Sequence, residues 1–172
     1  TLRLTRRQRQ MCIRDSSTLS PIPGFRSWLN DHVDDPDLLT DDDIDALGDG
    51  DAERARQALA DLLEMPAPAT SAPIDHAEDT LVGLAARYLV LEGQNRALDP
   101  VAHFHLSNGS WVERVNWWAN PGFSGWDRSL ALMANYRYRL ESIEENHDSY
   151  GSSGQISTSS AVDRLLADRR PD

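Results

Sequence analysis

Apolar residues recur at helical spacing in two long stretches of this chain. Between Asp51 and Met65, the residues Ala55, Ala58, Leu59, Leu62 and Leu63 share one face, with Asp51 placed to cap the start. From about Asp75 to Glu92, Leu81, Leu84, Ala85, Tyr88, Leu89 and Leu91 are dense enough to predict a mostly buried helix. Asp75 with Glu78 three residues on reads as a capping box, and Gly93 as the stop. Residues 66–73, Pro-Ala-Pro-Ala-Thr-Ser-Ala-Pro, form a stiff extended linker between the two. Ahead of both, Ser20-Pro21-Ile22-Pro23-Gly24 excludes a helix or a central strand and forces a defined turn. Phe25, Trp28 and Leu29 then predict a short helix docking on a core.

Further on, the period changes to two. Alternating runs flank Asn108-Gly109, the strongest short signal for a β-hairpin. A two-residue turn there pairs Ser107 with Ser110, Leu106 with Trp111, His105 with Val112, Phe104 with Glu113 and His103 with Arg114. Paired residues share a face, so Val101, His103, His105, Val112, Arg114 and Asn116 fall on one surface. Ala102, Phe104, Leu106, Trp111, Glu113 and Val115 form the other, mostly core. Ser124 and Asp127 predict another capped start, with a helix through Leu130, Met133, Ala134, Arg137 and Leu140 to about Glu145. Gly151-Ser152-Ser153-Gly154 breaks the chain, and a last helix spans roughly Ser159 to Arg169 with Val162, Leu165 and Leu166 inward. Helices around a hairpin give an α/β (α+β) class.

Charge changes the picture at two places. The 172 residues carry a net charge of −11, which makes nucleic acid and anionic membranes poor partners. Ten Asp lie between Asp31 and Asp51. A calcium loop starting at Asp41 would want Gly and Glu where Ala46 and Ala52 stand, so a solvated acidic loop with a short capped helix after Thr40 fits better. Residues 1–14 run the other way, with Arg3, Arg6, Arg7, Arg9 and Arg14 and no acid. The first residue is Thr1, and Met11-Cys12-Ile13-Arg14-Asp15-Ser16 resembles a translated sequencing adapter. Residues 1–16 are therefore expected to be a non-native or disordered leader on a fragment.

All 17 basic residues are Arg, which removes lysine chemistry of every kind. The single Cys12 allows neither an internal disulfide nor a thiolate metal cluster. No apolar run is long enough to span a bilayer. The Arg-only, Asp-rich and Ala-rich composition points to a GC-rich bacterial source and a cytoplasmic location.

Candidate chemistry is sparse. His105 beside His103 and Arg114 could act as acid or base near neutral pH, or could be a packed histidine. Two histidines two apart could begin a metal site, but no third ligand is evident among His32, His76 and His147, and no metal is expected. Ser20 precedes a rigid turn able to aim its hydroxyl at a ligand, though no nucleophile elbow surrounds it. Tyr136, Arg137 and Tyr138 could line a pocket or serve as core, and the five Trp most simply serve packing.

Four stretches, residues 17–25 (STLSPIPGF), 97–109 (ALDPVAHFHLSNG), 114–117 (RVNW) and 132–138 (LMANYRY), together resemble malonyl-CoA decarboxylase, in that family's order. The resemblance runs from about Ser17 to about Leu166. It implies the C-terminal part of an acetyltransferase-like (GNAT) catalytic domain over residues 17–170, built on a β-hairpin core with flanking helices, incomplete at its N-terminus and carrying a helical insertion at about 31–92. It implies loss of CO₂ from malonyl-CoA to give acetyl-CoA, with no cofactor beyond the CoA thioester substrate and no metal. The family's catalytic serine matches Ser20 and its catalytic histidine His105, with Tyr138 a further substrate-binding match. Register adds Asn116 and Arg114 as residues that orient His105, and Asn116 joins Ser20, His105 and Tyr138 as an expected substrate-binding residue. His103 stands where the family usually has Asn. The family's CoA-phosphate loop lies upstream of the serine motif, so the chain is expected to keep the catalytic pair, to lack most of the CoA-gripping surface and to be inactive by itself. A homo-oligomeric full-length protein is compatible with this reading. The alternatives are a CoA-dependent acyltransferase of the same fold and a non-catalytic remnant.

Overall fold

The computed structural model describes residues 15–68 and 76–170. Three strands form one antiparallel sheet: β1 (Asp15–Pro21), β2 (Trp111–Asn116) and β3 (Met133–Arg139), in the order β1-β3-β2. The eight helices of the described residues are α1 (Phe25–His32), α2 (Asp41–Gly48), α3 (Ala52–Glu64), α4 (Glu78–Val90), α5 (Pro100–Ser107), α6 (Phe123–Ser129), α7 (Ile143–Ser153) and α8 (Ser160–Leu166). None is long and apolar enough to cross a membrane.

The helices with strong local signals form where the sequence predicts them. Thr40 and Asp43 make a reciprocal capping box on α2. The Asp51 carboxylate accepts the Glu53 and Arg54 amides at the start of α3, at 2.9 and 3.1 Å. Ser159 caps α8, and Gly154 ends α7 in the left-handed conformation. The helix predicted from Asp75 is α4, which begins at Glu78; its proposed Asp75 cap and most of the 66–73 linker lie outside the described residues. So do residues 1–14 of the predicted leader, whereas its last two residues, Asp15 and Ser16, pair with Arg139 and Tyr138 in the sheet.

Besides α7, which runs through Gly151–Ser153 where a break is expected, two elements differ from the sequence reading. Residues 100–107 are a helix, not the first strand of a hairpin. Asp99 accepts the Val101 and Ala102 amides at 2.9 and 3.0 Å, and Pro100 occupies the first turn, where its missing N–H costs nothing. Asn108 and Gly109 end this helix: their amides donate to His105 O and Leu106 O, and Gly109 has φ +83°. A Cβ on Gly109 would sit 2.3 Å from the Ile143 carbonyl, so the glycine also permits α7 to pack close.

The second difference is β3, predicted as helix through Arg137 and Leu140. Helix α6 stops at Ser129 because Leu130 and Ala131 both take positive φ, 51° and 65°. Left-handed backbone costs roughly 1–2 kcal/mol per non-glycine residue. Full burial of Leu130, Ala131 and Leu132 offsets it. Beyond the stop, β3 is paired on both sides, and its alternation of Ala134, Tyr136 and Tyr138 against Asn135, Arg137 and Arg139 sorts the two faces of the sheet.

Register decides what points inward. Ser20 pairs with Ala134, Thr18 with Tyr136 and Ser16 with Tyr138. A bulge between Val112 and Arg114 puts Val112 and Val115 on the same inner face. Arg114 and Asn116 pair with Asn135 and Met133 on the outer face. The inner face joins the core with Phe25, Trp28, Leu59, Leu81, Leu84, Leu106 and Trp126. The free edge of β2 is closed by residues 157–159, with the Val112 amide donating to Ser157 O at 2.9 Å and the Ser159 amide to Val112 O at 3.0 Å.

Candidate active site

A serine at the last inward position of β1 meets a histidine on α5. Ser20 Oγ lies 3.0 Å from His105 Nε2, across 85 residues of chain. The other ring nitrogen, His105 Nδ1, lies 2.7 Å from the Tyr138 hydroxyl. The imidazole stacks on Tyr136, with ring centres 4.4 Å apart and planes 15° from parallel. Ser20 Oγ donates to Thr18 Oγ1 at 3.3 Å. Ser20 and His105 are both buried, at 7% and 9% exposure.

The proton positions follow from burial and from the chain of partners. Burial pushes the His105 pKa down, so the neutral ring is favoured near pH 7. Burial pushes Tyr138 up, so its hydroxyl keeps its proton. With the Ser20 hydroxyl donating to Thr18, the tautomer that completes the chain of bonds carries its proton on Nε2 facing Ser20 Oγ and accepts the Tyr138 hydroxyl at Nδ1. One chain of hydrogen bonds runs from Tyr138 through His105 to Ser20.

The helix at 100–107 reassigns the residues grouped around His105. In a strand, His103 and His105 would share a face. On a helix, residues two apart point in different directions. His103 Nδ1 instead lies 2.7 Å from the Tyr150 hydroxyl, and that hydroxyl accepts the Ala97 amide at 2.8 Å. Arg114 and Asn116 do not flank His105, as the predicted hairpin required. They line an outward groove of about 420 Å³ with Glu78, Trp117, Val162 and Leu165. Asn116 Nδ2 donates to Asn135 Oδ1 at 2.8 Å, and Asn135 Nδ2 donates to Thr18 O at 2.8 Å. Phe104, predicted as core, is 62% exposed.

Thr18 and the stacking role of Tyr136 escaped the sequence reading. Both were recoverable from period-two alternation, Thr18 with Ser20 and Tyr136 with Tyr138, once 133–139 is taken as a strand.

A neutral imidazole held between two hydroxyls on the inner face of a sheet has the makings of a candidate acid–base site of the histidine–hydroxyl class. A family model for the malonyl-CoA decarboxylase C-terminal domain matches residues 6–172. The mitochondrial malonyl-CoA decarboxylase of Rattus norvegicus is 36% identical over 160 residues, which is 88% of this chain and 32% of the rat protein. The crystal structure of malonyl-CoA decarboxylase from Cupriavidus metallidurans superposes with a TM-score of 0.74 at 34% identity, covering 92% of this chain and 41% of that one. The corresponding structure from Rhodopseudomonas palustris gives 0.71 at 39% identity, covering 88% and 33%. This chain belongs to the malonyl-CoA decarboxylase C-terminal domain family. It spans about a third of the length of the rat relative.

Proposed function

We propose that this chain carries the proton-transfer centre of an enzyme that converts malonyl-CoA to acetyl-CoA and CO₂, with His105 and Ser20 as its catalytic pair. The contact between Ser20 Oγ and His105 Nε2 at 3.0 Å carries the reading. Loss of CO₂ breaks a carbon–carbon bond and leaves its electron pair as a thioester enolate. Two tasks follow: to hold the developing oxyanion, and to protonate the carbon. Ser20 turns its hydroxyl from Thr18 to the malonyl carboxylate or the thioester oxygen. His105 delivers the proton on Nε2 to the carbon. A proton relayed from solvent through the Tyr138 hydroxyl reaches Nδ1 as that happens, so neither the ring nor the phenol is left with a negative charge. This puts Tyr138 behind the histidine and sets Asn116 outside the reacting centre.

The finer fold reading goes with this. The sheet, with helices on its inner face and with the outer edge of β1 unpaired among the described residues, fits one part of an acetyltransferase-like (GNAT) domain. The bacterial relatives and the Arg-only composition support a bacterial cytoplasmic location.

The test is CO₂ release from malonyl-CoA by the full-length protein that contains this segment. His105→Ala is expected to lower kcat by about 10²–10⁴, the range of a positioned acid–base group. Turnover unchanged in His105→Ala rejects the assignment.

A further inference from the structure

The catalytic pair joins two elements that are far apart in sequence, and one buried carboxylate touches both. Asp99 is fully buried. Its Oδ1 accepts the Val101 and Ala102 amides at the start of α5, the helix that carries His105. Its Oδ2 accepts the Gly24 amide at 3.4 Å, at the end of the turn that follows Ser20 and β1. The Tyr88 hydroxyl donates to the same Oδ2 at 3.4 Å. Gly24 has no room for a side chain: a Cβ there would lie 2.2 Å from the Tyr88 hydroxyl. The turn is thus pressed against Tyr88, whose hydroxyl donates to the carboxylate that caps the histidine helix. No cation pairs with Asp99 among the described residues, so backbone N–H groups and a phenol carry the carboxylate.

We propose that Asp99 is a positioning residue: by binding the Gly24 amide with one oxygen and the α5 amides with the other, it fixes the separation of Ser20 from His105. The proposal rests on the reading of that pair as the reacting centre. Capping alone would need only Oδ1. The second oxygen is the part that bears on catalysis.

Two substitutions separate cap from link. Asp99→Asn keeps an oxygen to cap α5, since Asn caps as well as Asp, but turns an amide N–H toward the Gly24 N–H. Asp99→Ser keeps a capping hydroxyl and is too short to reach Gly24. Assayed as CO₂ release from malonyl-CoA in the full-length protein, each is expected to lower kcat about ten- to a hundredfold, because a misplacement of 1 Å can cost that much. KM should stay within about threefold of the parent and the acid limb of the pH profile should stay in place, since only spacing has changed. Either folded variant with kcat within twofold of the parent overturns the proposal; so does a loss confined to KM. His105→Ala and Ser20→Ala run alongside. If they too keep their turnover, the reading of the pair has failed; if they lose it while the Asp99 variants do not, only the positioning role has failed. Should both Asp99 variants fail to fold, amide hydrogen exchange on the unsubstituted chain decides: the Gly24 N–H is expected to be protected, and exchange at the rate of a free loop overturns the link.

Discussion

Two buried aspartates hold this molecule together in different ways. Asp43, on α2, sits 2.7 Å from the Arg169 guanidinium, with both side chains at 7% exposure or less. Gly83 on α4 makes room for that arginine: a Cβ there would lie 2.6 Å from its Nε. The pair ties the far end of the chain to the acidic helices. Asp99 is as deeply buried but is satisfied by three amides and a phenol. Burial pushes its pKa up, and the amides pull the other way. An ion pair binds strongly but tolerates some latitude. Amides aimed from two separate elements add charge-assisted hydrogen bonds and also fix where those elements stand relative to each other. The first arrangement serves stability, and the second stands beside the candidate active site.

Removing one partner from each should therefore give opposite signatures. Asp43→Ala strands a buried guanidinium and breaks the α2 capping box, so chemical denaturation should show a loss of about 3–5 kcal/mol. The Asp99→Asn variant should lose about 1–3 kcal/mol, the cost of leaving the buried Gly24 N–H without its acceptor, while losing most of its turnover. If Asp43→Ala costs less than Asp99→Asn in stability, the division between the two regions is wrong.

The pH dependence sharpens the same division. Because burial lowers the His105 pKa, the unfolded chain takes up a proton near its ordinary value of about 6.5 that the folded chain refuses. Stability should therefore be complete above that pH and fall as pH drops below it. Replacing His105 by Gln should flatten this slope; an unchanged slope assigns the effect elsewhere. With the neutral ring as the proposed proton donor, the acid limb of kcat should likewise lie below about 6.5.

The legible and illegible parts of the fold divide along the same line. Helices α2, α3 and α8 are written locally: Thr40 with Asp43, Asp51, and Ser159 announce them within one turn. The site is written over long range. The Asp99-Pro100 start of α5 was a valid helix signal, but Asn108-Gly109 suits a hairpin turn as well as a helix end. What decides between them is the approach of α7 to Gly109, which no local window contains. Helix α6 ends at Leu130 and Ala131 without a glycine, so nothing in composition marks the stop. Resemblance singles out Ser20 and His105, and their contact arises even though the hairpin that would present His105 does not form. Arg114 and Asn116 were tied to that hairpin, so its loss separates them from His105.

Smaller effects belong to the surface. Asp51→Ala removes an exposed cap and should cost about 1 kcal/mol. Arg137 should matter less still, although it touches more. It reaches Asp15 on β1 at 2.5 Å and Glu113 on β2 at 3.1 Å, and its guanidinium lies 5.8 Å from the centre of the Trp111 ring. That makes one cation shared by all three strands, and both carboxylates raise its pKa further. Yet it lies on the outer face, where water and salt compete for the charges. Arg137→Met keeps much of the stem over Trp111 and removes only the charge. Its Tm should fall slightly at low salt and match the parent at about 1 M, where the screening length is about 3 Å. The Asp43→Ala loss should persist in the same buffer, because the buried pair is shielded from salt. A Tm deficit for Arg137→Met that survives high salt would make the outer face of the sheet, and not only its inner one, a source of the fold's stability.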